Sequence, residues 1–289
     1  MESSIRLGKV AGIEIGVHYT WLIVFGLVTW SLAVGFFPQL FPGWSIATYW
    51  IVSVVAALLL FASVLAHELS HSLVAIRLGL SVNSITLFIF GGVSNLQGEP
   101  KKPSHEFAIS AAGPLASIGL GIIFGLLWWG TRGLNQQATA TLFYLWTINF
   151  LLAFFNLIPG FPLDGGRVLR SIIWWVTDNF RRATYVASLV GQGVAYLMIF
   201  GGIFLIFTGN FLGGIWIAVI GWFLSNAAEM SYRQAVTQES LRGVKVGQMM
   251  NPHPVTVGPD VTLRKVVDDY ILQQNVRALP VVEDGELLG

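Results

Sequence analysis

The chain has 289 residues, of which 54% are hydrophobic and only 11% are charged, and its mean hydropathy is +0.69. That composition is typical of a membrane protein. The net charge of +1 gives no basis for nucleic-acid binding, and the absence of cysteine excludes disulfides, iron–sulfur clusters and thiol nucleophiles, so any metal must be held by histidine and carboxylate.

Six apolar runs are long enough to cross a bilayer, which takes about 20 residues, although the fourth is short. They cover residues 18–37, 46–75, 106–129, 141–158, 184–207 and 211–229. With the N-terminus in the cytoplasm, every lysine and arginine except Arg132 falls on the cytoplasmic side. We therefore expect a multi-pass protein of the cell (inner) membrane, with both termini cytoplasmic and no cleavable signal.

The composition changes along the chain and predicts four segments. Residues 1–17 alternate in character and predict a short strand or hairpin on the membrane surface. Residues 18–230 hold the six spans, 231–245 form a polar linker, and 246–289 have a soluble composition. The predicted fold class is an all-α polytopic membrane protein with six transmembrane helices and one membrane-associated β-hairpin, followed by a soluble α/β fragment.

The second span carries the pattern His67-Glu68-x-x-His71 near its cytoplasmic end. On a helix, the two histidines share one face and can bind one metal ion. Glu68 can accept a proton from water beside that ion, so the pattern is typical of zinc hydrolases. A chance match on a solvated helix is the alternative, but ionisable groups after an uncharged apolar run are usually functional.

Residues 82–99 contain two β-rich runs on either side of Gly91-Gly92, which predicts a hairpin with its turn at the glycines. The segment is too apolar for a free loop, so we expect it to dip back toward the histidines. Gly91, Gly92, Val93 and Ser94 are then candidates for binding an extended peptide substrate along an edge strand. A simple cover over the helix ends explains the pattern equally well.

The third span contains Gly113-Pro114 and Ser117, small residues that let helices approach closely. His105 and Glu106 precede them, and we interpret both as solvated flanks of the span.

The fourth span runs into a Pro- and Gly-rich segment that ends at Asp164, where a short helix over about 165–177 is predicted. A catalytic zinc needs three protein ligands and one open position, and Asp164 is the best candidate for the third ligand. The competing interpretation is that Asp164 caps the new helix. The two roles are compatible.

Taken together, these residues resemble the site-2 protease family of intramembrane zinc metalloproteases. The resemblance rests on His67-Glu68-x-x-His71, the Gly91-Gly92 hairpin, Gly113-Pro114, and the run from Asn156 to Gly165, and it covers about residues 1–230. It implies that His67, His71 and Asp164 bind one Zn²⁺, that Glu68 is the catalytic base, and that Asn156 holds the substrate carbonyl or oxyanion. Ser117 departs from the family pattern, in which many members have Asn.

The tail resembles a cystathionine-β-synthase (CBS) domain through Met249-Met250-x-Pro252, Val255-x-Val257 and Arg277-x-Leu279-Pro280-Val281. Such domains work as pairs of motifs that often bind adenine nucleotides. The chain stops at Gly289, within the first motif, so we expect a truncated domain that binds such a nucleotide only when the pair is complete.

The resemblance implies a zinc-dependent endopeptidase that cleaves transmembrane segments of membrane proteins, for example a membrane-tethered transcription factor or anti-sigma factor. Its active site is expected to open to the cytoplasm. The alternative class is a CBS-regulated transporter or channel with a buried metal site, which the lack of an internal repeat disfavours. A haem or quinone protein is disfavoured because histidines one turn apart cannot bind opposite faces of one haem.

Overall fold

The computed structural model describes residues 4–89, 91–98, 100–241, 244–273, 276 and 278–288, without the side chains of 96, 97, 212 and 238–241. The chain divides into two compact units, Met1–Thr237 and Gln238–Gly289. The first unit is dominated by long apolar helices and the second by short elements. Arg277, which contributed to the resemblance of the tail, lies outside the described residues.

Long helices follow one another along the first unit, and the last of them begins within it. They are α1 (Thr20–Leu40), α2 (Ile46–Arg77), α3 (Pro103–Gly130), α4 (Gln136–Asn156), α5 (Asp164–Thr177), α6 (Phe180–Phe207) and α7 (Phe211–Leu241). Among the described residues, five helices are long and apolar enough to cross a membrane, namely α1, α2, α3, α4 and α6. The sixth predicted span, 211–229, lies within α7, which is not one of these five, so it stays a prediction.

Polar caps fix where three of these helices begin. The side chains of Ser45, Asn135 and Asn179 accept hydrogen bonds from backbone N–H groups in the first turns of α2, α4 and α6, at 3.2, 2.9 and 2.8 Å. Each cap satisfies a donor that the helix itself leaves unpaired. The third helix instead starts with Pro103, which has no N–H to satisfy.

The first unit also contains a four-stranded sheet, which corrects the expectation of an all-α domain with a separate strand segment at residues 1–17 and a separate hairpin at residues 82–99. Its strands are β1 (Ser4–Val10), β2 (Ile13–His18), β3 (Ser81–Phe88) and β4 (Gly91–Gln97), in the order β1-β2-β3-β4. The pairs β1–β2 and β3–β4 are antiparallel, whereas β2 and β3 are parallel. The N-terminal strands and the hairpin therefore belong to a single sheet.

One apolar cluster attaches this sheet to the helices. Ile13 of β2 and Ile85 of β3 are fully buried, and they pack with Ala75 of α2 and Ile109 of α3. Removing such side chains from water favours the contact by about 25 cal/mol per Å² of apolar area. The cluster therefore holds the sheet beside the C-terminal end of α2, where the two histidines are found.

The second unit contains short helical segments and a two-stranded hairpin. Its elements are Val246–Met249, Leu263–Lys265 continued by the wider turns of Val266–Leu272, β5 (Val282–Glu283) and β6 (Glu286–Leu287). The turn at Asp284-Gly285 was predicted, and both residues have positive φ values of 52° and 87°. A cavity of about 330 Å³ in this unit is lined mainly by apolar side chains, including Val257, Ile271 and Leu279.

Candidate metal centre

Two histidines on α2 form one side of the candidate site. His67 and His71 are buried, with 3% and 7% of their surface exposed. Their Nε2 atoms are 3.2 Å apart, as expected for residues four positions apart on one helix face. Imidazole nitrogens this close and this far from solvent favour binding of a cation between them.

The first turn of α5 brings a carboxylate to the same point. Oδ2 of Asp164 lies 3.1 Å from Nε2 of His67 and 3.2 Å from Nε2 of His71. The cap of α5 is Leu163, with no side-chain cap bond. The carboxylate of Asp164 therefore faces the histidines, and the competing role as a helix cap is not the one it has here.

Two glycines after Asp164 allow the preceding irregular segment to fold tightly against the start of α5. A Cβ atom on Gly165 would lie 2.4 Å from the carbonyl oxygen of Ile158, and one on Gly166 would lie 2.3 Å from the carbonyl carbon of Gly160. Because Cβ atoms do not approach backbone atoms so closely, a larger residue at either position would displace α5. The pair of glycines therefore helps to set the position of Asp164.

Each histidine is also held from behind through its other ring nitrogen. Nδ1 of His71 is 2.6 Å from the backbone carbonyl oxygen of Ile109, and Nδ1 of His67 is 2.9 Å from the hydroxyl of Ser117. A carbonyl only accepts hydrogen bonds, so Nδ1 of His71 is the donor and its Nε2 is left with a lone pair for a metal. The structure thus shows what Ser117 contacts, which the sequence left open.

The residues present fit a zinc ion. The ligand atoms of His67, His71 and Asp164 all lie within 4.8 Å of one another. Bonds of about 2.0–2.1 Å at tetrahedral angles would separate neighbouring ligand atoms by about 3.3 Å, and the observed separations are 3.1–3.2 Å. A Cβ on Gly113 would lie 2.1 Å from Nε2 of His71 and 2.6 Å from Nε2 of His67, so glycine leaves this point open.

Glu68 lies beside the three candidate ligand residues, beneath the start of β4. A Cβ on Gly92 would lie only 2.4 Å from Cγ of Glu68. The prediction that Gly91-Gly92 forms the hairpin turn is wrong, because Gly91 pairs with Phe88 and both glycines belong to β4. Phe90 lies outside the described residues. The glycines open β4 instead, where Gly91 has a φ of 125° and Gly92 allows close approach to Glu68.

The strand that covers Glu68 is an edge of the sheet. Among the described residues, β4 pairs with β3 alone, with Val93 opposite Thr86 and Ser94 opposite Ile85. Val93 is 43% exposed. The opposite edge of β4 therefore leaves backbone groups free to pair with another chain.

Asn156 was also predicted as a site residue, but its described hydrogen bond lies within its own helix and does not reach the histidines or Asp164. It is the last residue of α4, and its side-chain amide donates to the carbonyl oxygen of Leu152, 3.0 Å away within the same helix. Its role in catalysis stays a prediction.

A buried ion pair near the site was not predicted. We expected Glu106 to be a solvated flank, but its side chain is 1% exposed and its Oε1 accepts a hydrogen bond of 2.6 Å from Nε of Arg170. Burial is tolerated because the guanidinium on α5 neutralises the carboxylate on α3. Arg170 had served only to predict topology, and a charged residue on a helix with apolar neighbours was the available signal.

Comparison with known proteins gives the family. The family model described as Peptidase family M50 matches residues 55–135 and 131–200, about half of the chain. Rip3 of Mycobacterium tuberculosis is 38% identical over 292 residues, which cover 100% of this chain and 74% of that protein. The chain belongs to peptidase family M50. Zinc metalloprotease MJ0392 of Methanocaldococcus jannaschii is also similar to this M50 chain, at 32% identity over 289 residues that cover 100% of the chain and 78% of the relative.

A solved structure of the same family has a similar fold. The site-2 protease from Methanocaldococcus jannaschii aligns with a TM-score of 0.53 and 32% sequence identity, covering 79% of this M50 chain and 95% of that one. The chain is therefore an intramembrane zinc metalloprotease of the site-2 protease type. The predictions of family and reaction class are confirmed, and the transporter and haem alternatives are not supported.

The second family match lies in the tail. The model described as CBS domain matches residues 246–289, which fall in the second compact unit. The prediction of a CBS domain in the tail is confirmed at the level of the family.

Proposed function

We propose that this M50 peptidase binds one zinc ion through His67, His71 and Asp164 and hydrolyses peptide bonds in or beside transmembrane segments of membrane proteins. The observation that carries the proposal is the convergence of two imidazole nitrogens and one carboxylate oxygen at separations of 3.1–3.2 Å. They lie beside Gly113, where a side chain would fill the gap.

Glu68 is the catalytic base in this proposal. When bound, zinc supplies a Lewis acid that polarises the scissile carbonyl and makes a water more acidic. Glu68 takes a proton from the attacking water as the C–O bond forms. It then gives that proton to the nitrogen of the leaving amine, and the C–N bond breaks in this second step. Asn156 donates one N–H of its side-chain amide to the carbonyl oxygen of Leu152, and in this proposal the second N–H donates to the oxygen of the scissile carbonyl.

The free edge of β4 is the substrate-binding element in this proposal. A helix hides its own amide groups, so a transmembrane substrate must unwind locally before it can be cut. Pairing with the backbone of Gly91, Gly92, Val93 and Ser94 would offset part of that cost. The contact between Gly92 and Glu68 supports this role, because a peptide paired along β4 passes close to the base.

The active site is proposed to open to the cytoplasm from the inner membrane. His71 is six residues before Arg77, or about 9 Å along the helix at 1.5 Å per residue. The positive residues predict that this end of α2 faces the cytoplasm, where a membrane-tethered transcription factor or anti-sigma factor would be released. An adenine nucleotide is proposed as an effector only where the CBS motif is paired.

The test is cleavage of a single-span membrane protein tagged at both ends and co-expressed with the enzyme. Glu68→Gln should abolish cleavage while zinc stays bound, because the carboxylate is a base and not a ligand. His67→Ala and Asp164→Ala should lose both zinc and activity. Zinc loss in Glu68→Gln as large as in His71→Ala would contradict the assignment of roles.

A further inference from the structure

The ion pair between Glu106 and Arg170 is buried in the first unit. The whole residues are 1% and 5% exposed. Nε of Arg170 is 2.6 Å from Oε1 of Glu106, and one terminal nitrogen of the guanidinium contacts the same oxygen. The guanidinium carbon also lies 5.0 Å from the ring centre of Phe161 and 4.7 Å from that of Phe180.

Such a pair contributes little to stability on balance. Removing two charges from water costs several kcal/mol, and replacing a buried pair by apolar residues of similar volume is often neutral or stabilising. Burial and aromatic packing instead restrict the guanidinium to one arrangement. The pair therefore fixes the geometry of the two helices that carry it.

Each of those two helices holds a different part of the metal centre. Glu106 is on α3, one turn before Ile109, whose carbonyl oxygen holds His71. Arg170 is on α5, six residues after Asp164, or about 9 Å along the helix axis. The ion pair thus joins the helix that supports a histidine to the helix that brings the carboxylate.

The carboxylate needs such support because of where it lies. Asp164 opens α5 directly after the irregular segment that follows α4, and its oxygen must stay within about 0.5 Å of its position to act as a ligand. The backbone contacts of Gly165 and Gly166 restrain the start of α5 from the side of that segment. The ion pair restrains the helix from the side of α3.

We propose that Glu106 and Arg170 are positioning residues for the metal centre: their ion pair locks α5 against α3 and so keeps the Asp164 carboxylate against His67 and His71. The proposal rests on the proposed function, in which Asp164 is a zinc ligand. It assigns to the pair an effect on metal retention without any contact between either residue and the metal.

The experiment measures release of zinc from the purified, zinc-loaded full chain into an excess of a chromophoric chelator, well below the melting temperature. Arg170→Met and Glu106→Gln should release zinc about ten-fold faster or more than the unmodified chain, the effect expected for groups that orient ligands. Arg170→Lys should be intermediate, since it keeps the charge but loses the planar fork. Visible absorption of the cobalt-loaded variants should change in the same order.

Two control variants separate positioning from general destabilisation. Arg233→Met removes the exposed pair of Arg233 with Glu229 on α7 and should leave zinc release unchanged. Leu145→Ala removes a fully buried side chain of the core around α4, so it should lower the melting temperature without accelerating release.

Each outcome decides between the two proposals. If Asp164→Ala loses zinc while Arg170→Met and Arg170→Lys retain it as the unmodified chain does, the positioning role is wrong and the proposed function stands. Release that rises only as far as in Leu145→Ala also overturns the positioning role. If Asp164→Ala retains zinc normally, the proposed ligand set fails first. Should Arg170→Met not fold, the comparison of Arg170→Lys with Arg233→Met decides.

Discussion

Gly113 lies so close to both histidines that a methyl group would collide with their Nε2 atoms, at 2.1 Å from that of His71 and 2.6 Å from that of His67. Gly113→Ala should therefore reduce bound zinc to a small fraction of one ion per chain and abolish cleavage. The melting temperature should fall only moderately, because the gain of about 0.5–1 kcal/mol from alanine inside a helix offsets part of the cost of about 1–3 kcal/mol for overpacking. Metal analysis of the purified variant, beside its melting temperature, checks this expectation.

Gly119 supplies the matched control on the same helix. A Cβ at this position meets nothing within 4 Å, so Gly119→Ala should keep full zinc content and activity. Normal zinc binding by Gly113→Ala would show that the metal lies elsewhere and that the convergence of His67, His71 and Asp164 has another explanation.

Gly92 has the corresponding relation to the base. In Gly92→Ala the new methyl group would push Glu68 aside, and a displacement of about 1 Å can lower a rate by about 10²-fold. The turnover number should fall by about that factor while zinc content stays unchanged. Kinetics and metal analysis on the same preparation test this, and an unchanged turnover number would mean that Glu68 has room to move.

Among individual residues, the sequence predicted those whose type and spacing indicate chemistry. His67, Glu68 and His71 follow from a helical spacing of four, and Asp164 follows from the need for a third ligand. The support for them was not predictable in the same way. The contacts of Ser117 with His67 and of Glu106 with Arg170 join positions 50 and 64 residues apart, and nothing in the local pattern couples such positions.

The free edge of β4 leads to a prediction about proline substitutions in this strand. Neighbouring residues of an antiparallel strand direct their N–H groups alternately to the partner strand and to the free edge. Proline at Val93 and at Ser94 should therefore differ: one substitution disrupts pairing with β3, and the other removes only a donor from the free edge. At whichever of the two positions directs its N–H to the free edge, we expect proline to lower cleavage at least ten-fold more than alanine does. Zinc content and melting temperature should be retained there.

The measurement is cleavage of one substrate by the four variants Val93→Pro, Val93→Ala, Ser94→Pro and Ser94→Ala. Equal effects of proline and alanine at both positions, or zinc loss with both prolines, would make β4 a structural cover over the site.

Long apolar runs predicted the helices of the first unit well, because a membrane leaves a segment of about 20 residues few alternatives to a helix. The sheet was predicted only in pieces. The parallel pairing of β2 with β3 joins a strand that precedes α1 in the sequence to a strand that follows α2. Such non-local contacts leave no signal in either segment alone. The turn was misplaced because glycines that permit close packing have the same appearance in a sequence as glycines that form a turn.

The membrane topology of the whole molecule can be tested by labelling single introduced cysteines. Because the native chain has no cysteine, any label reports the introduced residue alone. Lys102 precedes α3 and is exposed, and Leu134 lies between α3 and α4 with 80% of its surface exposed. In intact cells, an impermeant thiol reagent should label Leu134→Cys. It should label Lys102→Cys only after the inner membrane has been permeabilised. The reverse pattern would overturn the proposed orientation and move the active site to the other face.

The place of β2 within the sheet has a consequence for biogenesis. This strand is made before α1 and α2, yet its partner β3 is made only after both helices. Ile13 and Ile15 therefore cannot reach their native neighbours on β3 and α3 until α1 and α2 have been synthesised. The sheet closes after that, and β4 reaches Glu68 only once β3 has docked. The nascent chain thus carries both histidines and Glu68 before the strand over Glu68 is made, and Asp164 follows later still. The proposed site can therefore be complete only after the sheet strands and α1 to α4 have been synthesised.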